Sequence, residues 1–298
     1  MNGVLVIDKS PGLTSHDVVN HVRRVLGQRA VGHLGTLDPS ATGVLPLVLG
    51  SLTRLARFYN SSEKSYEGII RFGLATDTYD AEGKSEGEAH PIPFSFDELH
   101  EVAAQFRGII EQLPPPFSAK KIGGVPAYKL ARQKKDVQLK PVRVEIKEFE
   151  INNFDGQRAG FRARVASGTY MRSLAHDIGQ RLGCGAHLES LRRTSVAEFT
   201  LEDAHTLGEI DALSERAVIA ELFVHPRKLL PQFPSVTASE ETAAKIRSGR
   251  AVNLPELSRS SQVKVFYGQR ELIAIATRVA GTLFHPKTVL AREAATLS

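Results

Sequence analysis

The sequence predicts an α+β protein in which a mixed, largely antiparallel β-sheet is flanked by helices and loops and followed by a small β-barrel. Three observations predict it. Short β-type runs bounded by turn formers recur along the chain, amphipathic helical stripes lie between them, and the stretch after a proline-rich segment contains three short β-type runs with turn signals between them. At 298 residues with 42% hydrophobic side chains, the chain is long enough for two domains with a real core, and disorder is not favoured.

The elements follow in order. Gly3–Ile7 is β-rich and runs into a turn at Lys9, Pro11 and Gly12. Thr14 or Ser15 then caps a helix over His16–Leu26, where Val18, Val19, Val22, Val25 and Leu26 recur at helical spacing. Residues 32–43, GHLGTLDPSATG, set Asp38 among Gly32, Gly35, Gly43 and Pro39, a loop shaped by residues of special backbone freedom and restriction. Val44–Gly50 is too short and too proline-broken for a helix and reads as a buried strand.

Tyr66–Gly73 is a further strand, and the TDTYDAEGKSEGEAH that follows reads as an acidic surface loop. Leu99, Val102, Ala103, Phe106 and Ile110 give Phe96–Ile110 the stripe of an amphipathic helix. Strands are expected at Val142–Ile151 and Phe161–Val165, and a second helix at Met171–Leu182, stopped by Gly183. HPRKLLPQFP places three prolines between Pro226 and Pro234, which suits a boundary between domains 1–230 and 231–298. Beyond it VKVFYG, ELIAIATRVAG and TLFHPKTVL supply the strands of the barrel.

Charge and composition narrow the function. The net charge is +5, and between Ser118 and Arg143 eight basic residues, among them Lys120, Lys121, Lys134 and Lys135, face a single acid, Asp136. That segment is a candidate polyanion-binding surface, the alternative being a solvated basic face beside the acidic loop. Cys184 is the single cysteine, so neither an internal disulfide nor a cysteine-pair zinc site can form. The N-terminus has four consecutive apolar residues, too few for a signal peptide, and a cytoplasmic protein is expected.

Asp38 reads either as a helix N-cap before Pro39 or as a presented carboxylate; Thr42, Gly43 and a β-like run arrive within a turn, which favours presentation. A glycosidase needs two carboxylates and a metal hydrolase clustered ligands, whereas the neighbourhood offers only His33, so metal catalysis is disfavoured. His33 reads equally as a backbone-bonded loop histidine or as a contact to a ligand phosphate or base. In SGTYMRSLAHDIG, Arg172 falls in the first turn of a helix, where its charge opposes the helix dipole and calls for a carboxylate such as Asp38, unless it is a plain surface arginine. Tyr66 is a core aromatic or a ring on which a displaced base stacks.

Taken together and in order, GHLGTLDPSATGVLPLVLG, KSYEGIIRFGLATDTYDAEG, PPPFSAKKIGGVPAYKLAR, SGTYMRSLAHDIG and LGCGAHLESLRR resemble the bacterial TruB-type tRNA pseudouridine synthases over essentially the whole chain. SGRAVNLP and the β runs after it are similar to a PUA RNA-binding domain. DKSPGLTS departs from the family's Lys-Pro-x-Gly-x-Thr-Ser by placing its first proline one residue later.

The resemblance implies the pseudouridine synthase fold with a PUA-like barrel, and an isomerase of the T-loop uridine at position 55 of tRNA. It implies Asp38 as the essential aspartate, Tyr66 as the base-stacking tyrosine and Arg172 as the partner of the aspartate. His33 is implied in RNA contact and base flipping and Leu191 in walling the pocket. The basic stretch from Pro114 to Lys147 is implied to be an insertion that closes on the T-arm. No cofactor, metal, membrane or obligatory protein partner is expected, and the default state is a monomer. Two other readings stand beside it: a guide-RNA-dependent relative, and an RNA-binding or tRNA-folding protein whose chemistry is secondary.

Overall fold

The apolar run Val4–Ile7 lies in a strand, Gly3–Lys9, that is buried along nearly its whole length. It runs antiparallel to Thr42–Leu49 and parallel to Ala204–His205, and covering on both faces is why its apolar residues are consecutive rather than alternating. Val31–His33 pairs antiparallel with the far end of Thr42–Leu49. The structure, a computed structural model, describes residues 1–117, 121–122, 125–126, 139–213, 216–257 and 259–290. None of its described helices is long and apolar enough to cross a membrane.

The helix expected after the first strand spans Ser15–Leu26. Thr14 caps it through a reciprocal box, its hydroxyl accepting from the Asp17 amide (3.1 Å) while the Asp17 carboxylate accepts from the Thr14 amide (2.9 Å), and Gly27 ends it in a left-handed conformation. Its buried face is Val18, Val19, Val22 and Leu26.

The chain divides into two compact units. The first comprises residues 1–39, 43–60 and 196–298, and the second residues 40–42 and 61–195. In the first unit the C-terminal β runs form a curled five-stranded half-barrel in the order Ser235–Ala238, Gln262–Tyr267, Glu271–Ala280, Leu283–Val289, Val252–Asn253. One apolar cluster in this unit joins Val4, Val6, Val48, Leu52 and Leu55 to Val224, Leu230, Phe266, Leu272, Ile275 and Leu290. This cluster draws on residues from both sides of position 230.

That cluster has a testable consequence. Ending the chain at Gln232 removes Phe266, Leu272, Ile275 and Leu290, each a buried side chain contributing roughly 1.5–3 kcal/mol. The shortened protein should melt below the full-length chain and bind a hydrophobic dye. Full-length melting behaviour in the truncated protein would instead make residues 233–298 an independent domain.

The second unit is a sheet in the order Ala186–Val196, Lys64–Phe72, Arg158–Val165, Val142–Phe154, Gly108–Gln112, with the last three pairings antiparallel. Gly68 is required in it. It stands opposite Phe161, and a Cβ there would collide with that ring and with the Ser190 carbonyl. The helix expected over Phe96–Ile110 stops at Ala104, and Gly108–Gln112 is a strand instead. Gly108 takes φ 91°, which no helix tolerates, so Ile110 belongs to the strand although it fits the helical stripe. The helix Met171–Arg181 ends close to its expected stop.

Candidate active site

Asp38 lies in an irregular segment that leads into the strand Thr42–Leu49, so it caps no helix. The loop around it is built from below by Lys9, a fully buried lysine whose ammonium donates to the carbonyls of Ser10 (2.9 Å), Leu13 (2.7 Å) and Pro39 (3.0 Å). Gly12 N–H donates to the same Pro39 carbonyl at 2.9 Å. On the other side of Asp38, the buried Ser15 hydroxyl donates to the Leu37 carbonyl (3.1 Å) and accepts from the Leu37 amide (2.8 Å). Both backbone neighbours of Asp38 are thus tied to the DKSPGLTS segment, which holds a half-buried carboxylate on a fixed turn. Gly35 and Gly43 adopt φ 104° and 98°, the left-handed conformations that the loop needs. His33 ends the strand Val31–His33 in the same unit, opposite Leu47.

Tyr66, Arg172 and Leu191 lie in the second unit. Arg172 sits in the first turn of Met171–Arg181, and this helix start is held by the buried Gln112, whose amide donates to the Tyr170 carbonyl (2.9 Å) and accepts from the Tyr170 amide (2.8 Å). The Arg172 guanidinium is buried. It donates to the carbonyls of Thr78 (3.2 Å) and Phe117 (3.0 Å) and pairs with the buried Asp80 carboxylate at 3.3 Å. The head of the expected surface loop is therefore interior. Thr76 and Asp80 are buried, and residues 82–90 carry its exposed part. The physical reason is that the segment satisfies its own polar groups. The Asp80 carboxylate accepts from the Thr78 hydroxyl (2.5 Å) and the Glu82 amide (3.1 Å), and the Thr76 hydroxyl donates to the Asp80 carbonyl (2.7 Å).

Tyr66 is 8% exposed on the strand Lys64–Phe72, opposite Ala163. Its hydroxyl is hydrogen-bonded by Arg193, a fully buried arginine on Ala186–Val196; burial pulls that guanidinium down and the tyrosine contact opposes the shift. Lys64, two residues earlier on the same strand, is pulled down to about 8, first by burial and then by the Arg193 charge. The Lys64 ammonium donates to the Ser62 carbonyl at 2.9 Å. Leu191, on the Arg193 strand, borders a recess of about 410 Å³ with Ser40, Thr42, Phe161 and Arg192, and its carbonyl accepts from the Thr42 hydroxyl at 3.5 Å.

Lys9, Lys64, Asp80 and Arg193 were not singled out by the sequence as site residues. Strand alternation carried one signal, since adjacent Arg192 and Arg193 must face opposite sides of a sheet and one of them must turn inward. Of the basic segment, Lys120, Lys134 and Lys135 lie outside the described residues; Lys121 is described only as backbone, in a two-residue strand paired with Val125–Pro126.

Comparison with known proteins shows the family. The family model for the N-terminal domain of TruB family pseudouridylate synthases matches residues 23–171, and that for the C-terminal domain of tRNA pseudouridylate synthase B matches residues 172–224. The chain is 47% identical to tRNA pseudouridine synthase B of Solibacter usitatus, covering 97% of this chain and 100% of that protein. It is 40% identical to tRNA pseudouridine synthase B of Aquifex aeolicus, again over 97% of this chain and 100% of the other. Among solved structures, a chain from a Cbf5–Nop10–Gar1 complex is similar with a TM-score of 0.70 at 25% identity, covering 97% of this chain and 85% of that one.

Proposed function

Because the chain belongs to the TruB family of pseudouridylate synthases, we propose that it isomerises uridine to pseudouridine at position 55 in the T-loop of tRNA, with Asp38 as the essential carboxylate. The observation that carries this reading is the Asp38 loop, in which a buried lysine and a buried serine fix both backbone neighbours of one carboxylate. Such a loop presents a single acid in a set position, which is what this reaction asks for.

The C1′–N1 bond of the uridine breaks, the uracil turns, and a C1′–C5 bond forms. The proton lost from C5 is matched by one gained at N1, so there is no net hydrolysis or redox change. A hydrolase must also activate water, whereas here the leaving base returns to the same sugar, and one carboxylate can serve. Asp38 acts as an ionised group, either on C1′ as nucleophile or on the 2′ proton as base. The target nucleotide leaves the stack to reach it, and the small Gly35 and Gly43 allow close approach. Arg172, by its family resemblance, is a further member of the site. The chain acts on the tRNA T-arm without a guide RNA or protein partner. Incubation of the purified chain alone with an unmodified tRNA transcript, followed by carbodiimide mapping, should give one new pseudouridine in the T-loop. An unmodified T-loop under saturating enzyme would refute the reading.

Tyr66 serves as the stacking ring in this proposal, and its hydroxyl is held by Arg193. Tyr66→Phe keeps the ring and removes the hydroxyl, while Tyr66→Ala removes both. The alanine variant should weaken handling of the flipped base by roughly 1–3 kcal/mol beyond the phenylalanine variant, the range of base–aromatic stacking. Single-turnover rates across a tRNA titration separate the two, and equal rates in both variants would return Tyr66 to a packing role.

A further inference from the structure

Tyr79 stands between two of the residues that hold the Arg172 guanidinium, Thr78 and Asp80, and its own conformation is unusual. Its φ is 65°, a left-handed backbone that a bulky side chain rarely adopts and that Asn or Gly would fill without strain. What Tyr79 offers in exchange is a ring. It stacks on the imidazole of His176, with centroids 3.8 Å apart and planes 15° from parallel.

His176 lies on the same helix as Arg172, four residues later, and so on the same helix face. The backbone of the turn is anchored on its other side by the strand Ala186–Val196. The Tyr79 carbonyl accepts from the Leu188 amide (3.0 Å), and the Ala81 amide donates to the Leu188 carbonyl (3.1 Å). The turn that carries Thr78 and Asp80 is therefore fastened twice, to a strand through its backbone and to the arginine's own helix through one ring stack. Burial pulls the His176 imidazole down, which favours the neutral ring in the stack.

We propose that Tyr79 and His176 are positioning residues, a ring clamp that locks the Thr78–Asp80 turn to the Arg172 helix and so sets the orientation of the Arg172 guanidinium. The proposal rests on the reading of Arg172 as part of the uridine-isomerising site. The strained tyrosine is retained because the ring does what a relaxed Asn at the same position cannot.

The test uses the full chain and two readouts. Tyr79→Asn suits the left-handed backbone and deletes the ring; His176→Ala deletes the partner. Each should lower the single-turnover rate at saturating tRNA by roughly 10–10²-fold, the scale of a misplaced group, while changing tRNA affinity less than threefold. The double variant should be no worse than the poorer single one, and the conservative Tyr79→Phe should recover the rate. The second readout is the Arg172 Nε–Hε resonance, assigned by its loss in Arg172→Lys. It should be sharp and slow to exchange with solvent in the wild type, and should broaden or exchange faster in Tyr79→Asn and His176→Ala. An unchanged resonance in both variants would overturn the clamp, whatever the enzyme does to tRNA. So would a rate loss that tracks a fall in melting temperature across the variants. If wild-type protein modifies no tRNA, the functional reading fails, and the resonance alone decides the clamp.

Discussion

Asp38→Asn should bind tRNA as the wild type does and form no measurable pseudouridine. The substitution keeps the side chain's size and leaves in place the bonds that Lys9, Gly12 and Ser15 make to the backbone of Leu37 and Pro39. What disappears is the ionised oxygen pair. A group that moves a proton in the transition state contributes roughly 10²–10⁴-fold, and a nucleophile more, so single-turnover rates should fall by at least that range. The check is a parallel filter-binding titration and single-turnover assay. Turnover within tenfold of the wild type would remove Asp38 from the chemistry and leave RNA binding or RNA folding as the principal activity.

The second large effect concerns stability as well as rate. Asp80→Asn leaves the buried Arg172 guanidinium without this carboxylate while its bonds to the Thr78 and Phe117 carbonyls persist. Breaking a buried ion pair from one side costs about 3–5 kcal/mol, because the remaining charge cannot recover its hydration. A denaturant titration should show the midpoint falling accordingly, with the slope unchanged. Activity should fall with it even under conditions where the variant is folded. An unaltered midpoint would mean that the carbonyls suffice to compensate Arg172 and that the carboxylate is not a structural partner.

The contrast between these two residues shows what the sequence could and could not disclose. Asp38 was legible because its setting is local: glycines and a proline within a few residues announce a shaped loop, and the β-like run after Thr42 argued against a cap. The strands at Gly3–Ile7, Val44–Gly50 and Val142–Ile151 were legible for the same reason. Arg172 was half legible. Its charge at a helix start required a carboxylate, but the partner observed, Asp80, is 92 residues away in a run whose polarity suggested solvent. Polarity does not reveal that Thr76, Thr78 and Glu82 would turn their donors onto one another and onto Asp80. Ile110 fitted a helical stripe equally well as a strand, and the backbone of Gly108 decided between them.

The distribution of the first unit along the chain also sets an order of events during synthesis. Its strand Gly3–Lys9 emerges from the ribosome first, yet the Val4 carbonyl waits for the amide of Val224, and Arg54 for the carbonyl of Val289. Apart from residues 40–42, the second unit is one continuous segment, 61–195, available as soon as it has been made. At roughly 5–20 residues per second, some 230 residues separate the end of the first strands from their last partners, a wait on the order of 10–50 s. For that interval the apolar side chains of Val4, Val6, Val48 and Leu55 belong to a nascent chain whose core is unfinished, and they are the natural holding site for a chaperone.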